Sequence, residues 1–70
     1  MQIIFTAHAK IQMKERKVTQ TWVEETIKFP DNTERGGNKF YVTKKLNGKT
    51  LRVVYVKESY IKVITVFWIK

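Results

Sequence analysis

Arg52 is the residue of this sequence best suited to chemistry. A guanidinium is a planar fork of donors that matches phosphate oxygens and stays charged at any working pH. It lies in the run KFYVTKKLNGKTLRVVYVKESYIKVITVFWIK, residues 39–70. There, Asn47-Gly48 separates two alternating stretches and marks a two-residue type I′ hairpin, because both residues tolerate positive φ. The turn sets Leu46 opposite Lys49, Thr43 opposite Arg52, Val42 opposite Val53 and Phe40 opposite Tyr55. One face then collects Phe40, Val42, Leu46, Leu51, Val53 and Tyr55, a core face interrupted by Lys44. The other collects Tyr41, Thr43, Lys45, Thr50 and Arg52, with Val54 and Val56 at its far end. A sheet that only packs a core has no use for a basic and hydroxyl cluster, whereas a phosphate site does. Lys44 and Lys45 point to opposite faces, so Lys45 joins Arg52 and Lys44 snorkels at the rim. The competing reading is an exposed Arg52 paired with Glu58 or Glu34.

His8, the one histidine, titrates near neutrality and is the natural general acid or base; the plainer reading is a histidine at a helix start bonded to a carbonyl. Arg16 falls on the same helical stripe, His8, Gln12 and Arg16, and either anchors phosphate or complements the helix C-terminus. Tyr41, Tyr55, Phe67 and Trp68 are of a type that stacks on bases, though Tyr55 falls on the core face and strand aromatics are more often core. No Ser-His-Asp or Cys-His set, phosphate-cradling glycine loop or metal-ligand spacing is present.

These residues need elements to hold them. Gln2–Thr6 reads as a first strand and Ala7–Arg16 as a helix with Ala9 and Met13 inward. Thr19 is a good N-cap for a second helix, with Val18 and Val23 stapled across it. Thr21 with Glu24 is a competing cap. Val23 and Ile27 face inward, Trp22 is half buried, and Phe29-Pro30 ends the helix. Asp31–Asn38 is a polar loop with room for a short strand. A second hairpin turns at Glu58-Ser59. A two- or four-residue loop there pairs Val56 with Ile61, Val54 with Val63 and Arg52 with Thr65. A three-residue loop shifts that register by one and exchanges the faces. The last strand is apolar on both sides, Ile61, Val63, Thr65, Phe67 and Ile69 against Tyr60, Ile64, Val66 and Trp68, so its outer face calls for a cover. The fold class is α+β: a short N-terminal strand, two helices on one side, then three to four antiparallel strands.

Seventy residues form one domain, 1–70, with 14 basic against 6 acidic side chains and a net charge of +8. Such a balance favours a polyanionic partner, RNA, DNA or an acidic protein, over solubility alone. Without cysteine there are neither disulfides nor thiolate metal sites. With no apolar leader and no bilayer-length apolar run, the expected location is the cytoplasm, away from membranes.

Several segments also resemble a known group. Phe5-Thr6-x-His8-Ala9-x-x-x-Met13-x-x-Arg16, then Val18-Thr19, Pro30-Asp31, Arg52-Val53-Val54-Tyr55 and Val63-Ile64-Thr65 resemble a small prokaryotic family of uncharacterised domains. That family is similar to RelE/ParE-type and BrnT-type toxins of toxin–antitoxin modules, and the resemblance spans essentially the whole chain. It implies a microbial-RNase-like fold and cofactor-free, metal-free RNA cleavage in which the ribose 2′-OH attacks the adjacent phosphate. It also implies a lysine on the strand before the turn and an arginine on the strand after it, places that Lys45 and Arg52 match.

The expectation is therefore a type II toxin acting as an endoribonuclease. Arg52 and Lys45 stabilise phosphorane charge, His8 is acid or base, and Arg16, Thr43, Thr65 and Tyr41 hold RNA. An acidic antitoxin is the expected partner, covering Ile61, Val63, Phe67 and Ile69. The alternatives are a non-catalytic RNA- or protein-binding module, a gyrase-inhibitor-type toxin, or a homodimer closing over that apolar face.

Overall fold

Asn47 and Gly48 adopt the backbone their types favour, with φ of +52° and +80°. This is a computed structural model describing residues 2–69; the end residues of the expected 1–70 domain lie outside them. The elements run β1 (Ile3–Phe5), α1 (Ala7–Glu15), α2 (Gln20–Lys28), β2 (Asn32–Gly36), β3 (Lys39–Leu46), β4 (Lys49–Lys57) and β5 (Ile61–Ile69). The β3–β4 pairing follows the turn: Leu46 opposite Lys49, Thr43 opposite Arg52, Val42 opposite Val53, Phe40 opposite Tyr55. Phe40 and Tyr55 stack across the strands at 5.1 Å.

Local caps place the helices. The Thr6 hydroxyl accepts the Ala9 N–H at 3.1 Å and opens α1. The Thr19 hydroxyl accepts the Trp22 N–H at 3.1 Å, so the second cap is Thr19 and not Thr21. α1 ends in a Schellman turn in which the Val18 N–H donates to the Met13 carbonyl at 2.8 Å and Lys17 takes φ +55°. α2 ends at Phe29, before Pro30. Lys44 snorkels as expected, its Nζ donating to the Phe29 carbonyl at 3.0 Å, where a cation complements the end of a helix.

Both helices cover one face of the sheet. Ala9, Val18, Val23 and Ile27 pack with Val42, Leu51, Val53, Tyr55, Val63 and Val66 in one cluster. Leu51 is fully buried, and truncating it to alanine costs about 2–5 kcal/mol.

The fold is α+β, but the sheet has five strands in the order β1-β5-β4-β3-β2, and it is mixed. This corrects the expected three to four antiparallel strands. β1 runs parallel to β5, with Ile3 opposite Ile61 and Phe5 opposite Val63. β2 pairs with β3, yet every one of its residues is exposed. Its sequence, Asn-Thr-Glu-Arg-Gly, buries no side chain and so shows no alternation; the strand rests on backbone pairing and on the turn after it, where Gly37 takes φ +65°.

The β4–β5 register is also corrected. The connection has three residues, Glu58–Tyr60, so Lys57 opposes Ile61 and Tyr55 opposes Val63. A bulge at Ile64 then shifts the pairing again, so Val54 opposes Thr65 and Arg52 opposes Phe67, not Thr65. Two one-residue shifts restore the original facing for the end of the strand. Ile61 and Val63 turn into the core, Val66 follows them, and Thr65, Phe67 and Ile69 stay on the open face. Without the bulge, one strand could not bury both Val63 and Val66, each 0% exposed. Among the described residues, no helix is long and apolar enough to cross a membrane.

Candidate functional site

Sheet alternation sends Lys39, Tyr41, Thr43 and Lys45 of β3 and Thr50, Arg52, Val54 and Val56 of β4 away from the helices. Arg52 therefore lies mid-sheet on the open face, with Thr43 on one side and Phe67 on the other. It lines a shallow hollow of about 260 Å³ with Glu34, Arg35, Gly36 and Tyr41. Its guanidinium stands 5.5 Å from the centre of the Tyr41 ring, and Lys39 Nζ lies 5.8 Å from that same ring. Arg52 Nη2 donates to Glu34 Oε1 at 3.3 Å; the arginine side chain is 27% exposed and the glutamate 65%. Half-exposed pairs of this kind contribute about 0–1 kcal/mol. The same face also carries Lys39 and Lys45 of β3 and Lys62 of β5.

Of the residues expected at the site, the fold brings together Arg52, Thr43 and Tyr41, with exposed Lys45 two positions along β3. Thr65 shares the face but is offset, opposite Val54. Tyr41 has two cations near its ring, Arg52 and Lys39. His8 and Arg16 belong to the other side of the sheet. His8 is exposed in the first turn of α1, and Arg16 caps that helix. A single site on the open face does not include them.

Spacing alone puts Gln12 on the polar stripe with His8 and Arg16. It is buried instead, and its Oε1 accepts the Val66 N–H at 2.9 Å. β1 stops at Phe5, opposite Val63, so the edge of β5 that faces away from β4 has no strand beside it beyond that point. The glutamine supplies the missing acceptor. Its position three residues after buried Ala9 is the one signal in the sequence for this role.

A second constellation lies on the helix side. A groove of about 330 Å³ is lined by Arg16, Lys17, Trp22, Leu46, Asn47, Lys49 and Trp68. Trp22 and Trp68 meet edge to face, 5.8 Å between centres and 77° apart. Trp68 Nε1–H donates to the Arg16 carbonyl at 2.9 Å. Trp22 and Trp68 are distant in sequence, and no local pattern joins them.

Titration adds one point. Burial pushes the Tyr55 phenol up from its ordinary value, consistent with its place under the helices and away from the candidate site.

No curated protein and no solved structure matches this chain. One family pattern does, over residues 5–68, nearly the full length and both candidate surfaces. The chain belongs to that family, DUF4258, a domain of unknown function.

Proposed function

We propose that this chain is the toxin of a type II toxin–antitoxin pair and acts as a metal-free endoribonuclease with a RelE-like arrangement. The observation that carries the reading is Arg52 mid-sheet on the uncovered face, beside Thr43 and Tyr41, with Lys39 at the same Tyr41 ring and Lys45 farther along β3 on that face. The phosphate of an RNA strand displaces Glu34 from Arg52. The 2′-OH then gives its proton to solvent and attacks the adjacent phosphorus, the P–O5′ bond breaks, and the leaving 5′ oxygen takes a proton from solvent, which leaves a 2′,3′-cyclic phosphate and a 5′-hydroxyl. Arg52 and Lys45 stabilise the charge that builds on the phosphorane oxygens. His8, behind the sheet, transfers no proton in this scheme, which makes it an electrostatic catalyst without a histidine base.

The antitoxin is an acidic protein laid over the same face. Phe67 stands directly opposite Arg52 in the β4–β5 ladder, with Ile69 and Val54 nearby, so a partner covering Phe67 also covers Arg52. Inhibition by occlusion follows. Ile61 and Val63 take no part, since both are core. A non-catalytic RNA-binding module on this fold is the second reading, favoured by the Arg52–Glu34 pair and by the distance in the fold between Arg52 and the one histidine. Incubating the purified chain and Arg52→Ala with total RNA separates the two. Cleavage to cyclic-phosphate ends by the parent, lost in the variant, supports the enzyme; binding without cleavage by either overturns it in favour of the module.

A further inference from the structure

We infer that the groove between the two tryptophans is a nucleotide site, separate from the open face and on the opposite side of the sheet. It takes a base against the indoles and the attached phosphate on Arg16, Lys17 and Lys49.

Three observations support this. First, the lining is basic and aromatic with no carboxylate. Among the described residues the ion pairs are Lys44–Asp31 and Arg52–Glu34, and neither involves a groove cation. Second, the rings are held before any ligand arrives. Trp68 is fixed by its bond to the Arg16 carbonyl, Trp22 braces it edge to face, and Lys49 Nζ stands 5.6 Å from the Trp68 ring centre. A fixed aromatic beside a cation is the arrangement that stacks a base and meets its phosphate. Third, Lys17 sits at φ +55° in the Schellman turn, where glycine is the ordinary residue. Lys17 lines the groove from that turn and adds a cation to those of Arg16 and Lys49.

The groove volume of about 330 Å³ falls at the small end of ligand pockets, which run from about 300 to 1,000 Å³. A second hollow of about 320 Å³ shares Lys49 and Trp68 with it, so a strand has somewhere to continue. The nucleotide comes either free or within single-stranded RNA. The chemistry recognised is the same, and the inference stands whether or not the open face cleaves RNA.

The chain contains two tryptophans, and both line this groove, so intrinsic fluorescence reports it directly. Adenosine 5′-monophosphate and a single-stranded RNA octamer are titrated into the full chain at low salt. Saturable quenching by both assigns a site open to free nucleotides, and quenching by the octamer alone assigns one that takes a nucleotide within a strand. Lys49→Glu weakens either by about tenfold or more, and Lys17→Gly lowers the salt slope of octamer binding by about one while the thermal midpoint holds or rises. Arg52→Ala keeps the quenching, so failure of the open-face reading is told apart from failure of this one. Absence of saturable quenching by either probe overturns the inference. So does equal quenching by a polyglutamate peptide of matched charge, or quenching that survives in both lysine variants.

Discussion

Arg52 and Lys49 are both cations beside an aromatic ring, on opposite sides of one sheet, and they differ in what already surrounds them. Arg52 lies on an open face, shares Tyr41 with Lys39 and is held by Glu34 at 3.3 Å. Lys49 lines a groove with two more cations, two indoles and no carboxylate. A count of basic residues treats the two alike. Their surroundings do not: one cation is already paired with a carboxylate, and the other has none in its groove. The contrast teaches that a +8 chain holds its usable charge in places, and that the fold chooses them.

The largest effect expected concerns the open face. Arg52→Ala lowers RNA cleavage by about 10²–10³, the range for losing one preorganised charge-stabilising donor, while nucleotide quenching in the groove is unchanged. Gel analysis of total RNA beside tryptophan fluorescence checks both halves. Equal cleavage by parent and variant makes Arg52 structural and removes one side of the comparison.

Next is the helix that carries the groove. Gln12→Leu leaves the buried Val66 N–H without an acceptor and costs about 1–3 kcal/mol, read as a lowered denaturation midpoint. Because Arg16 and Lys17 form the turn that ends α1, nucleotide affinity in the groove falls with it, and octamer binding at the open face falls less. A variant as stable as the parent would mean that water or a shifted strand satisfies Val66.

Smaller still is the release of Arg52 from its carboxylate. Glu34→Gln removes a pair worth about 0–1 kcal/mol, so RNA binding at the open face tightens up to severalfold at low salt, and the gain fades as salt rises. Unchanged affinity would show that Glu34 does not compete with phosphate.

The last effect touches the core that separates the two surfaces. Burial raises the folded-state pKa of Tyr55 above its ordinary value of 10.0. The folded chain then holds that proton more tightly than the unfolded one. The resulting stability is fully present below pH 10 and is lost as pH rises through the folded value. Tyr55→Phe should flatten the alkaline limb of a stability–pH profile; a limb that stays as steep assigns the loss to other groups.

Several features were settled within a few residues of chain. Asn47-Gly48 dictates its turn and, through it, the whole β3–β4 register, because positive φ is accessible to those two residues at little cost. Thr19 caps α2 and Pro30 closes it for equally local reasons. Inward Ala9 of α1 and inward Val23 and Ile27 of α2 follow from spacing, and so does the outward Arg52. Other features depended on the assembled molecule. The bulge at Ile64 arises because Val63 and Val66 both find burial only if the strand changes phase, and no residue near Ile64 announces it. The polar strand β2 is held by backbone bonds to β3, which leave no mark on side-chain pattern. Gln12 becomes an acceptor because β1 is too short to reach Val66. Trp22 and Trp68 meet, and Glu34 finds Arg52, only when distant strands and helices are stacked. Local dihedral preference is written residue by residue, whereas these choices are sums over contacts between segments far apart in the chain, and they exist only once the core has closed.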